Sequence, residues 1–264
     1  MPLRIATWNV NSVRQRIAHL ERFLTESEID IVCLQETKVE DELFPFDCVT
    51  DLGYVHQLIH GQKSYNGVAI LSRVPFEDRG KLVWCRKDDR RHLWVRLPGG
   101  LELHNFYVPS GGDKPDPEIN DKFDHKLKFL RAMARWCRKE AVAERPVLLV
   151  GDMNVAPLET DVWNHKKLLR SVGHTPTESG LIASLLKAGK LEDVPRRFVP
   201  PSEPLYTWWG YRFPQAYQKN YGWRLDHALA SPPAAAQITA MRIAKETRAW
   251  EKPSDHVPVV IDLG

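Results

Sequence analysis

Five short polar clusters each close an apolar, strand-like run, and they are scattered over the whole chain. They are Trp8-Asn9-Val10-Asn11, Leu34-Gln35-Glu36-Thr37, Gly151-Asp152-Met153-Asn154, Arg224-Leu225-Asp226-His227 and Ser254-Asp255-His256. Each puts a carboxylate, amide or imidazole where a buried strand emerges, so a compact fold could gather them at one sheet edge. Acids, amides and one histidine, with no cysteine among them, make an oxygen-rich site for a hard divalent cation and a phosphate ester. That chemistry is hydrolytic.

Glu36 and Asp152 end the runs IVCLQE and VLLVGD. An acid there is costly unless it is hydrogen-bonded, paired or bound to a cation. Asn9 and Asn154 stand in matching positions, where either alone would read as a turn former. His256 follows an acid and precedes a Val-Pro-Val-Val run. Asp226 is its expected partner, holding one ring nitrogen and favouring the charged ring. An imidazolium so placed would stabilise charge growing on a phosphoryl oxygen.

The elements that must position these groups are legible from periodicity. Strands are expected at 3–8, 30–35, 67–72, 92–97, 101–108, 146–150, 223–230, 238–244 and 257–263. Helices are expected at 13–26 and 119–143, where apolar residues recur on one face, with shorter ones at 161–169 and 178–188. Residues 109–117 read as a Gly- and Pro-rich loop, and 194–204 as a basic surface loop. Strands with interposed helices and hairpins imply mixed sheets with helices outside them. GVAILS in the first half and LDHALAS in the second form a faint twofold echo, too short to be a repeat.

The 264 residues exceed a typical domain, yet single domains often reach about 250 residues, and one domain spanning 1–264 is expected. With 43% hydrophobic and 27% charged residues the composition is that of an ordinary globular protein, which excludes disorder. The net charge of +3 selects no partner by itself. Basic residues do cluster, at Arg86, Lys87, Arg90 and Arg91, at Lys166, Lys167 and Arg170, at Arg196 and Arg197, and at Arg212, Lys219 and Arg224. Such patches suit a polyanion if they converge on one face. Cys33, Cys48, Cys85 and Cys137 have no zinc or disulfide spacing, and Cys33 reads as a buried thiol. His19 reads as a helix surface or boundary residue. No apolar run approaches the roughly 18 residues of a membrane span, and no apolar leader opens the chain. A monomer in the cytoplasm is expected.

The motifs WNVNSVR, LQETK, YVPS, GDMN, GWRLD and SDH occur in this order over nearly the whole chain. With them the chain resembles exonuclease III-type apurinic/apyrimidinic (AP) endonucleases of the endonuclease/exonuclease/phosphatase superfamily. HGQKSYNGVAIL and EKPSDHVPV look especially like the bacterial exodeoxyribonuclease III branch. The resemblance implies a four-layer α/β sandwich, two face-to-face mixed sheets flanked by helices. It implies Glu36 as principal metal carboxylate, with Asn9, Asn11 and Asp255 nearby, for Mg²⁺ or Mn²⁺. Asp152 would orient or deprotonate the attacking water, aided by Asn154. Tyr107 would contact the scissile phosphate, and Asp226 and His256 would form the orienting pair. Arg14, Arg90 and Arg91 would hold backbone phosphates. Trp208, Trp209 and Trp223 with Leu225 supply the aromatic segments, and residues matching Trp209, Trp223 and Leu225 wall a pocket for a flipped-out abasic sugar.

The implied activity is that of a metal-dependent DNA phosphodiesterase of base excision repair. Its partner would be double-stranded DNA, cut 5′ to abasic sites and trimmed or cleaned at 3′ ends. The chain departs from the pattern at Ser12-Val13, where Gly-Leu is common, and at Asn11, where some relatives carry Asp. The loop SGGDKPD has small Ser110 and acidic Asp113, which weakens the case for a wedge into the duplex. Two other readings share these letters. One is a phosphoesterase of the same superfamily acting on lipid or inositol phosphates. The other is a DNA-binding module without turnover.

Overall fold

The computed structural model describes residues 2–85, 87, 89–213 and 215–264. Twelve strands form two six-stranded sheets. The first contains β1 (Leu3–Asn9), β2 (Ile31–Gln35), β3 (His56–His60), β4 (Val68–Ser72), β11 (Ile238–Ile243) and β12 (Val259–Leu263), in the order β11-β12-β1-β2-β4-β3. The second contains β5 (Asp78–Gly80), β6 (His92–Arg96), β7 (Glu102–Tyr107), β8 (Val147–Asp152), β9 (Glu192–Asp193) and β10 (Asp226–Ala230), in the order β5-β6-β7-β8-β10-β9. Each sheet is built around one parallel pair, β1–β2 and β7–β8, with the remaining pairs antiparallel.

The sandwich follows from strict alternation along buried strands. On β2, Ile31 and Cys33 face inward with Ile5 and Ile70, against Val95, Leu103, Leu148, Val150 and Ala228 of the other sheet. Val32 and Leu34 face outward and meet α1 (Ile17–Glu26) through Leu20, Phe23 and Leu24, and α2 (Phe46–Thr50) through Val49. On the far side Phe106, Leu149 and Leu229 meet α3 (Asp121–Lys139) and α5 (Pro176–Gly189), separated in the chain by the short α4 (His165–Leu168). The layers are helix, sheet, sheet, helix, as expected. Truncating a filled position such as Leu103 to Ala would cost about 2–5 kcal/mol. The twofold echo has a topological counterpart, since β4 lies antiparallel to β2 and β10 lies antiparallel to β8.

Several boundaries differ from the sequence expectation. The first helix starts at Ile17, not Val13, because Asn11 and Ser12 take left-handed φ angles of 46° and 86°. The long helix is Asp121–Lys139, started by the Asn120 side chain, which accepts from the N–H groups of Lys122 and Phe123, and closed where Ala141 turns left-handed. The helix expected over 161–169 shrinks to α4, because Asp161 is buried and ion-paired. The expected surface loop 194–204 begins with a helical turn, α6 (Val194–Phe198), ahead of α7 (Pro232–Ala235). β3, β5 and β9 carry too little apolar alternation to be seen in sequence. Cys33 is buried as expected, and burial pushes its thiol far up. No described helix is long and apolar enough to cross a membrane.

Candidate active site

Register brings the site together. Tyr107 on β7 and Asp226 on β10 both pair with Asp152 on β8, so the three form one row at the end of the second sheet. Asn9 pairs with Gln35 at the matching end of the first sheet, and Glu36 is the next residue. Gly151 permits this closeness: at φ 131° a Cβ would stand 1.9 Å from the Phe106 carbonyl oxygen. Beneath the row, Gln35 Nε2 donates to Asn105 Oδ1 at 2.7 Å, and Asn105 Nδ2 donates to the Leu34 and Ala69 carbonyls at 3.0 and 2.9 Å. This buried polar bridge fixes one sheet against the other.

Glu36, Asp152 and His256 converge, each offering a ligand atom within 4.8 Å of the others. Glu36 sits at φ 52° and Asn154 at φ 53°, in the left-handed region, which asparagine enters more readily than glutamate. Glu36 Oε1 accepts from Asn9 Nδ2 at 2.8 Å and from the Tyr107 hydroxyl at 2.9 Å, while Lys38 Nζ stands 2.7 Å from Oε2. Asp152 is held on both oxygens. The Asn154 backbone N–H donates to Oδ1 at 2.8 Å, and Asn9 Nδ2 and Asn154 Nδ2 donate to Oδ2 at 3.0 and 3.1 Å. His256 Nδ1 lies 2.9 Å from Asp226 Oδ2, and its Nε2 lies 3.8 Å from Asp152 Oδ2.

The charges follow from burial and neighbours. Burial penalises the charged His256 ring, yet Asp226 and Asp152 outweigh it and raise its pKa to about 10. Burial pushes Asp152 up to about 7, with Asp226 and Glu36 adding and His256 and Asn9 opposing. Burial also opposes ionisation of Glu36, but the Lys38 ammonium and the Asn9 amide win and hold it below its ordinary value. Burial, Glu36 and Asp152 keep Tyr107 a neutral phenol that donates.

The donor set fits a hard divalent cation. The Lys38 ammonium already occupies a cation position on Glu36. Glu36 and Asp152 could hold such an ion. Asn9 Oδ1 accepts from the Asn11 N–H at 3.0 Å, and its amide nitrogen donates to Glu36 and Asp152. Asn11 is committed as well, accepting from Lys38 Nζ at 2.5 Å and donating to Asp255 Oδ1 at 2.9 Å. Asp255 Oδ2 accepts from Trp208 Nε1 at 2.9 Å.

That last bond ties the aromatic wall to the acids. Trp208 pairs across to both Trp223 and His256 in isolated bridges, and its ring stands edge-on to Trp223 with centroids 6.1 Å apart. Trp208, Trp223, Leu225 and Val162 make one apolar cluster beside His256. Trp209 does not join them. It is fully buried and points the opposite way, into a cluster with Tyr206, Ala216 and Val257, because neighbouring residues on an extended segment face opposite sides. Its expected place in the pocket wall passes to Trp208.

The basic patches divide. Arg14 is exposed. Arg91 lies over the Tyr107 ring at 4.9 Å and pairs with Asp89 at 2.9 Å, and Arg90 Nη1 lies 2.7 Å from His60 Nε2. Arg86 lies outside the described residues. Arg224 and Arg196 are buried structural ions, not a polyanion patch. Arg224 bonds Asp161 and Asp193 at 2.7 and 2.9 Å, and Arg196 pairs with Asp161. Arg197 is tied to Glu192 and to the Ile238 and Ala235 carbonyls. His19 is half-buried against Trp250, a boundary residue as expected.

Three supporting residues escaped the sequence reading. Lys38 had a signal, as the last letter of LQETK. Arg16 contacts the Asn11 carbonyl and Tyr211. Lys126 is a wholly buried lysine on α3, paired with Glu178 and donating to the Asn154 carbonyl at 2.7 Å, so it braces the Asp152 loop. Nothing in a helical apolar stripe reveals such a lysine.

Known proteins align with this chain over nearly its whole length. The model of the endonuclease/exonuclease/phosphatase family matches residues 6–256. Exodeoxyribonuclease III of Haemophilus influenzae is 33% identical over 97% of this chain and 98% of its own. An AP endonuclease structure from Archaeoglobus fulgidus superposes with a TM-score of 0.90 at 35% identity, covering 98% of both chains. The 3′ phosphatase NExo from Neisseria, bound to a product DNA hairpin, gives 0.91 at 33% identity over 99% of both. With the family model matching residues 6–256 and a 33%-identical relative aligned over 97% of the chain, the chain belongs to the endonuclease/exonuclease/phosphatase family.

Proposed function

We propose that this protein is a divalent-metal-dependent DNA phosphodiesterase of base excision repair. It would incise 5′ to abasic sites and act at 3′ ends as an exonuclease and end-cleaning enzyme. One observation carries the reading: His256 clamped between Asp226 and Asp152, beside Glu36, at the common edge of both sheets. Relatives that align end to end are DNA enzymes by name, which supports DNA over lipid or inositol phosphates. We extend the proposal to a single catalytic domain, working as a monomer.

The reaction follows from what each side chain can do. Glu36 and Asp152 would hold Mg²⁺ or Mn²⁺, which when bound supplies Lewis-acid stabilisation of the phosphoryl oxygens. Asp152, fixed on both oxygens, would hold the attacking water and take its proton. The His256 imidazolium would stabilise the charge gathering on the phosphate, and Asp226 would orient the ring. Tyr107 would present its hydroxyl to the same oxygens. Trp208, Trp223 and Leu225 would take the extruded abasic sugar and exclude a base by size. Arg14, Arg90 and Arg91 would position backbone phosphates.

The test is cleavage of an abasic duplex and of an intact recessed-end duplex in Mg²⁺. Glu36→Ala and Asp152→Asn are each expected to lower both activities by at least about 10²-fold. Full activity in both variants refutes the assigned roles.

A further inference from the structure

Away from the strand-end acids lies a second group of metal-ligating side chains. Cys85 and Asp89 come from the segment leading into β6, and His125 comes from the first turns of α3. Each offers a ligand atom within 4.8 Å of the other two, and His125 Nε2 stands 3.9 Å from Asp89 Oδ2. Ligand atoms of a tetrahedral zinc ion are about 3.3–3.8 Å apart, given bonds of about 2.0–2.3 Å. Small side-chain rotations would close the set.

Two further observations point to a ligand. His125 Nε2 is buried and has no hydrogen-bond partner among the described residues. A cavity of about 310 Å³ reaches Cys85 and Asp89, with room beside them for a water ligand. Asp89 also accepts from Arg91 Nε at 2.9 Å, an outer contact that would orient the ligating carboxylate.

We propose that Cys85, Asp89 and His125 form a three-ligand site for a borderline transition-metal ion of the zinc type, separate from the catalytic acids. Thiolate, imidazole and carboxylate together favour such an ion over Mg²⁺. Binding forms the metal–sulfur bond and releases the thiol proton to solvent. The ion would staple the segment before β6 to α3 and fix Arg91, whose guanidinium lies on the Tyr107 ring. The metal site stands on its own geometry and does not require the proposed DNA activity.

Cobalt(II) reports it directly. The full-length protein, stripped with chelator and held in excess Mg²⁺, is titrated with Co²⁺. One equivalent is expected to bring a near-ultraviolet sulfur-to-cobalt charge-transfer band, kept in Cys48→Ser and absent in Cys85→Ser. His125→Gln is expected to weaken Co²⁺ binding at least about tenfold, the lower end of what losing even an outer-shell partner does. Far-ultraviolet circular dichroism confirms that each variant is folded. Absence of the band in the unsubstituted protein, or its survival in Cys85→Ser, overturns the proposal.

Discussion

His256 Nδ1 lies 2.9 Å from Asp226 Oδ2, and this contact, with Asp152 on the other side of the ring, makes the imidazole a cation at neutral pH. The folded-state pKa is raised from 6.5 to about 10. The charged ring therefore contributes fully below pH 6.5, and its contribution is lost as pH rises through about 10. Asp226→Asn removes the nearest negative charge. Cleavage at pH 8 is expected to fall by about 10²–10⁴-fold, with partial recovery near pH 6, where the ring recharges. Pre-steady-state cleavage of an abasic duplex across that range measures it. An equal deficit at both pH values would contradict a charged ring.

The tryptophans are adjacent in sequence and different in consequence. Trp208→Ala removes part of the wall beside His256 and is expected to lower abasic-site incision by about 10–200-fold, the range for apolar pocket contacts. Trp209→Ala empties a fully buried position and is expected to cost about 3–5 kcal/mol of stability. Urea denaturation run beside the cleavage assay separates the two. A stability loss in Trp208→Ala as large as in Trp209→Ala would undo the assignment.

Arg224 sits three residues from Leu225, Asp226 and His227 or closer, yet it serves the fold. Its guanidinium is inaccessible to solvent, and Asp161 and Asp193 occupy it. Arg224→Met leaves a buried carboxylate short of its cation and is expected to destabilise the protein by about 3–5 kcal/mol. The salt dependence of DNA binding should not change. Arg14→Ala, at an exposed position, is expected to reduce that slope by about 0.9 on a log–log plot, one phosphate contact.

Acid should weaken the fold through His227. Burial first, then the Arg224 charge, lowers its pKa from 6.5 to about 4. Its neutral ring thus supports the fold above pH 6.5, and that support is lost as pH falls through about 4. The loss is on the order of 3 kcal/mol for a group this buried. Thermal midpoints followed from pH 7 to 4 should fall less steeply in His227→Asn. An unchanged slope would place the acid sensitivity elsewhere.

The sequence by itself determined the layers and the chemistry. Apolar runs of five to seven residues, closed by Asn9, Glu36 or Asp152 or opened by Asp226, announce buried strands whose ends carry the polar groups. Only the tertiary structure decided which way each of those groups turns. Whether Trp208 or Trp209 faces the cavity depends on strand parity, which pairing with Trp223 and His256 fixes. Whether an arginine is a surface ion or a core ion depends on acids far away in the chain, such as Asp161, 63 residues from Arg224. The direction of the Asn9 amide and the burial of Lys126 depend on such distant partners too. Apolar periodicity reports burial because water acts on every residue alike. Hydrogen bonds and ion pairs are specific to two groups, and no local pattern names the second.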